Sequence, residues 1–283
     1  MQTHLIAPFL LLFVLTSCGG TDHDNHESGP HDHGDDIEHD HSGDDQHVDR
    51  SLHIVHFSDN NELFLQYETL VAKRDSVFLA HLTDLTNYTP IPGGFITITL
   101  SGGGFPDETF SGKRPVRDGI HIEVALPQYA GQRQLSLHFE STTTTTSHNL
   151  GRVTVYPDYA TSKNSAERII PENAIYLEKE AQWQAGLAVQ MPIINKQHQL
   201  TLPTSAIYQN NSENFIHVLK GGEFFEQRKI TISNTDHGKV AILSGVTAKE
   251  YVVIKGNHTL LPGIQSAPSE MAHTIDETSD HHH

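Results

Sequence analysis

From Leu52 to Pro157 the chain alternates apolar and polar residues in about seven short runs: LHIVHF, ELFLQYETL, SVFLAHLTDL, GFITITL, GIHIEVAL, RQLSLHF and RVTVY. Successive side chains of a strand point to opposite faces, so a period of two marks a half-buried strand. In GFITITL, Ile96, Ile98 and Leu100 share one face and Thr97 and Thr99 the other. In GIHIEVAL, Ile120, Ile122, Val124 and Leu126 oppose His121 and Glu123. That pattern turns the four apolar residues inward and leaves His121, like His138 of RQLSLHF, on a solvated face. Pro92-Gly93-Gly94, Gly102-Gly103-Gly104 and Asp118-Gly119 separate the runs as turns, and Thr142 to Thr146 reads as a loop. The pattern predicts an immunoglobulin-like β-sandwich over residues 51–158.

A polar linker, 159–171, leads to a second block over 172–262. There ENAIYLEKEAQWQAGLAV offers one short helix through Glu178 to Ala185, stopped by Gly186. Strand patterns return in QLTLPTSAIYQ, NFIHVLKGGEFFEQRKITI, GKVAIL and EYVVIKG, with Gly221-Gly222 as a hairpin turn. The expected fold class is therefore mostly β: a sandwich followed by a small β-rich domain with one short helix. Residues 263–283, acidic and Ser-rich and ending in His281 to His283, are expected to be a disordered tail.

The first residues change this picture by placing the chain outside the cytoplasm. The apolar run Phe9 to Leu15 is too short to span a bilayer and ends in small residues before the only cysteine, so 1–17 reads as a signal peptide. Leu15-Thr16-Ser17-Cys18 resembles the bacterial lipobox, which implies lipidation of Cys18 and a lipid anchor in the periplasm. Gly19 and Gly20, with no aspartate after the cysteine, lean towards the outer membrane. With Cys18 taken by lipid, no thiol is left for a disulfide or a cysteine metal site.

Charge singles out one segment. The 283 residues carry a net charge of −17, and residues 21 to 50 hold eleven of the acidic residues with a single arginine. That balance repels phosphate and argues against nucleic acid. The segment 18–50 cannot bury an apolar core and is expected to be disordered. Among its acids stand His23, His26, His31, His33, His39, His41 and His47. Neutral imidazoles bind divalent transition metals, and spacings such as His31-Asp32-His33 offer two nitrogens at once, with carboxylates to complete the shell. These seven histidines are the expected metal ligands; zinc is the metal expected, and copper, cobalt or nickel are alternatives. His53 and His56 could extend the cluster.

Three stretches in order resemble periplasmic adaptor subunits (membrane fusion proteins) of heavy-metal efflux pumps of the resistance-nodulation-division (RND) type. ELFLQYETLVAKRDSVFLAHLTDLTNYTPIPGGFITITLSG, Glu62 to Gly102, is similar to their amino-terminal domain. IYLEKEAQWQAGLAV, Ile175 to Val189, is similar to the stretch that follows it, and Leu200 to Gly256 to their membrane-proximal domain. Such adaptors carry a lipoyl domain, a helical hairpin and a barrel between the last two stretches; here Val189 and Leu200 are separated by ten residues. The resemblance implies a truncated adaptor whose partners are an inner-membrane efflux pump or a full-length adaptor. It carries over no role for His81. HExxH, GxSxG and phosphate-loop motifs are missing, so no enzyme is expected. The functional expectation is a metal-binding lipoprotein capturing divalent metal for export, the alternative being a free-standing metal buffer or scavenger.

Overall fold

A computed structural model describes residues 51–112, 115–163 and 173–261. Cys18, the expected lipidation site, the seven histidines of the 18–50 segment expected to bind metal, and the 263–283 segment lie outside the described residues.

The amino-terminal module is built from β1 (Leu52–Phe57), β2 (Asn61–Tyr67), β3 (Ser76–Asp84), β4 (Thr89–Pro90), β5 (Phe95–Ser101), β6 (Glu108–Ser111), β7 (Ile120–Ala125), β8 (Gly131–Glu140) and β9 (Thr145–Val155). One sheet has the order β1-β2-β3-β4, with β7 also paired to β3, and the other has the order β6-β5-β8-β9. They face each other across one core. Leu63, Leu65, Phe78, Ala80 and Leu82 come from the first sheet, and Ile96, Ile98, Leu100, Leu135, Leu137 and Phe139 from the second. Each large apolar side chain fully buried this way contributes about 1.5–3 kcal/mol of transfer free energy. The expected β-sandwich is therefore present, and Ile96, Ile98 and Leu100 point inward as their alternation requires. The threonine run divides: Thr144 closes a turn by accepting the Ser141 N–H, and Thr145 opens β9.

One strand presents the opposite face from the one expected. In β7, His121, Glu123 and Ala125 are buried, whereas Ile122 and Val124 are 46% and 49% exposed. His121 is thus a core residue, packed edge-on against Phe139. The cause is register. Gly119, with φ of +74°, is held by its N–H to the Ile91 carbonyl and its carbonyl to the Leu82 N–H. This pins Ala80 opposite His121 and Phe78 opposite Glu123. Because the side-chain period is two, fixing one pair fixes the face of all the others. Ile122 and Val124 then join Leu79 and Val77 on the outside of the sheet.

The Gly-rich loop SGGGF wraps a buried cation. Arg133 donates to the Leu100 and Pro106 carbonyls at 2.6 and 2.8 Å and to Glu108 at 2.7 Å. With Nε also donating to the Ser101 carbonyl, every nitrogen of its guanidinium has a hydrogen-bond partner, and Glu108 balances its charge, the condition under which a buried charge is tolerated.

After β9, the helix α1 (Tyr159–Ser162) is capped by Asp158, which accepts the Thr161 N–H at 2.7 Å. Beyond the segment outside the described residues come β10 (Ile175–Tyr176), α2 (Lys179–Gln184), β11 (Ala188–Gln190), β12 (Ile193–Ile194), β13 (Leu200–Pro203), β14 (Tyr208–Asn210), β15 (Glu213–Leu219), β16 (Phe224–Asp236), β17 (Lys239–Ser244) and β18 (Val252–Lys255). The helix ends as expected at Gly186, in the left-handed region at φ +59°. The sheet order is β11-β18-β15-β16-β17-β13-β12. The long β16 pairs with β15 along its first half and β17 along its second, and two register shifts between Thr231 and Thr235 bend it from one to the other. Leu202, Ile216, Val218, Ile230, Val240 and Val252 fill the space this bend encloses.

Between β11 and β13 the chain makes only a tight hairpin. Ile193 pairs with Thr201 and Ile194 with Leu200. The Asn195 side chain accepts the N–H groups of Gln197 and Gln199, and His198 turns the corner at φ +59°.

Candidate functional site

Among the described residues no group of three or more His, Cys, Asp or Glu side chains could hold a metal ion. What the described residues build instead is a joint, where α2 and the β15–β16 hairpin cover the outer faces of β2 and β3. The residues involved belong to the ELF, HLT and LEKEAQW stretches.

Lys179 opens α2 and reaches across to Glu62 of β2, with Nζ 2.7 Å from Oε1; the two side chains are 3% and 4% exposed. The same ammonium donates to Gln182 Oε1 at 2.9 Å and lies over the Phe64 ring. Gln182 in turn donates to the Leu177 and Gly222 carbonyls, both at 2.8 Å. The α2 amino end carries no cap from Glu178. Glu223, from the hairpin, supplies one by accepting the Lys179 backbone N–H at 2.9 Å, and Tyr176 donates to its other oxygen. Burial is the main cause that raises the Glu223 pKa.

A second row runs along β3. Trp183, the chain's only tryptophan, donates from its indole to Thr83 at 2.8 Å. His81 is buried, stacks on Phe64 and faces Trp183. Its Nε2 lies 3.5 Å from Glu180, which pairs with Arg117 at 2.6 Å. Hydrogen bonding with His81 is the largest cause holding the Glu180 carboxyl down to about 2. The hairpin closes the joint through Gly222: at φ +76° it lies against Phe64, and a Cβ there would collide with that ring. Tyr88 donates to the Val189 carbonyl at 3.1 Å, and Phe57 stacks on Tyr251.

Chemically this is a fastener. Its charges are consumed by one another in a desolvated setting, where removing either partner is costly. Sequence reasoning assigned these residues no role; the spacing of Lys179 and Gln182 on one helical face was the only local cue.

The other histidines are placed as follows. His53 hydrogen-bonds Ser51 and Gln66 and packs on Phe64. His56 turns into the sandwich and meets His148, which sequence reasoning did not single out. His138 is half-exposed and bonded to Ser147, as its polar face predicts. His217, fully buried, stacks on Tyr208 and contacts Asn257.

The bent β16, shared between two sets of partners around a small closed core, is the geometry of an SH3-like barrel. Residues 199–259 match the family model of the C-terminal permuted SH3 domain of RND membrane fusion proteins. This permuted SH3 domain is the Leu200 to Gly256 stretch that resembled the adaptors' membrane-proximal domain. Its family is one of adaptor domains, a non-enzymatic class, and RND adaptors are periplasmic. No curated protein matches the chain at the level that marks a relative. Among the described residues no helix is long and apolar enough to cross a membrane.

Proposed function

We propose that this chain is a periplasmic, lipid-anchored relative of heavy-metal efflux adaptors that captures divalent transition metal, zinc foremost, for export. The observation that carries the reading is the permuted SH3 domain at residues 199–259, the part of an RND adaptor found beside its pump. The joint supports it, because α2, ion-paired to the sandwich and hydrogen-bonded to Gly222 and Glu223 of that domain, makes the sandwich move with whatever the domain docks on. The direct β11 to β13 hairpin supports a form without the adaptor's arm, working beside a full-length adaptor rather than replacing it. In this reading His23, His26, His31, His33, His39, His41 and His47 collect the metal, and Cys18 holds the chain at the membrane.

Epistasis tests it. A strain lacking the protein should be moderately sensitive to zinc, cobalt or copper while the pump is present, and no more sensitive than the pump deletion when both are missing. Additive sensitivity in the double deletion would point to a free-standing buffer; poor growth only under metal limitation would point to a scavenger.

A further inference from the structure

The strands β1 and β9 are the last strands of the two opposed sheets, and they meet along one seam of the sandwich. At that seam His56 Nδ1 and His148 Nδ1 stand 2.9 Å apart, with the rings perpendicular and their centroids 5.0 Å apart. His148 is completely buried, whereas His56 is half-buried and closes the seam towards solvent. Next to them Asn61 donates to Thr146 at 2.7 Å, the neighbouring cross-sheet tie. The pair shares no residue with the joint.

We propose that His56 and His148 form a two-nitrogen site for a divalent transition metal ion, which clips the two sheets together at this seam. With metal–nitrogen bonds of about 2.0–2.1 Å, two imidazoles on one ion have centroids about 4.5 Å apart at a right angle and about 5.2 Å apart at the tetrahedral angle. The observed separation lies between these values. Two nitrogens on one ion are about 2.9 Å apart at a right angle and about 3.3 Å apart at the tetrahedral angle, so the rings need only tilt for both lone pairs to converge. Without metal, one neutral ring donates its Nδ1 proton to the Nδ1 lone pair of the other; when an ion takes both Nδ1 atoms, that proton moves to Nε2 of its own ring, so both rings bind as neutral Nε2–H tautomers and no ring proton is lost. An all-nitrogen site with no thiolate suits zinc, copper(II) or nickel, and the remaining coordination positions, on the His56 side, take water.

The test uses the full chain and Zn(II), with thermal unfolding as the readout. Zinc bound equally by the folded and the unfolded chain does not shift the melting. Zinc at the seam binds only the folded sandwich. At a hundredfold excess over its dissociation constant it should raise Tm by about 5–10 °C. The rise should vanish in His56→Ala and persist in His138→Ala, which removes a partly exposed histidine of β8, in the sheet that carries His148. His148→Gln should also abolish it; if that variant does not fold, the half-buried His56 carries the test alone. An equal rise in His56→Ala, no rise in the wild type, or loss of the rise in His138→Ala overturns the proposal. Zinc uptake by the 21–47 segment is read separately by calorimetry, so failure at the seam leaves the export reading standing.

Discussion

Replacing Lys179 by methionine removes one half of the buried pair at the joint and keeps most of the side-chain volume. Glu62 is then left with its carboxylate 4% exposed beside the Phe64 ring, its ammonium partner gone. Breaking a buried pair by deleting one partner costs about 3–5 kcal/mol, mostly through the charge left behind. In a folded unit of this size each kcal/mol lowers Tm by about 2–4 °C, so Lys179→Met should melt about 6–20 °C lower. The double variant Glu62→Gln with Lys179→Met removes the orphaned charge and should recover most of the loss. Trp183 gives a second readout at the same place: its indole is tied to Thr83 of β3, so an opened joint should shift its emission to the red. Scanning calorimetry and fluorescence on the three variants settle the matter. A loss below about 2 °C in the single variant, or a double variant no more stable than the single, would refute a desolvated pair at this joint.

Three further outcomes follow from the same geometry. Burial lowers the His121 pKa from 6.5 to about 4, so the unfolded chain binds the extra proton first as pH falls. Stability present above about pH 6.5 should then drain away towards pH 4, by about 2 kcal/mol at pH 5, and His121→Asn should lack that share of the slope in denaturant titrations. Gly222→Ala forces a methyl into the Phe64 ring at a positive φ and should destabilise by more than 1 kcal/mol, about the cost of the backbone strain alone, as measured by urea unfolding. In calorimetry, zinc should bind the mature chain at more than one site and a form beginning at Ser51 far more weakly, with affinity falling below about pH 6 as imidazoles protonate.

Much of the fold was legible because period-two alternation reports a physical fact, that one face of a strand is dry. GFITITL shows this: Ile96, Ile98 and Leu100, all in one phase, are in the core, whereas Phe95, out of that phase, is 51% exposed. The short helix was legible through Gly186, which can take the left-handed turn that ends it. GIHIEVAL kept its period and changed its face, because alternation does not say which side is inside. That choice was made by Gly119 through two backbone hydrogen bonds outside the run. The joint was illegible for another reason. A lone Lys or Glu reads as surface, and Lys179 meets Glu62 across 117 positions of chain, as His56 meets His148 across 92. Such pairs exist only once the chain between them has folded. The histidines of 21–47 lie outside the described residues, and their reading as metal ligands rests on composition alone.

The hairpin between β12 and β13 gives the molecule a splice point. Its turn rests on one asparagine side chain, and Met191, Ile193 and Ile194 beside it stand in solvent, so the chain can be opened at Asn195 to Gln199 without disturbing a core residue. A segment grafted there adds a loop-closure cost that grows only with the logarithm of its length, about 0.6 kcal/mol for each doubling. A module closed by this hairpin and one that carries a long insertion at the same place are therefore neighbouring designs, separated only by what stands at the five residues from Asn195 to Gln199.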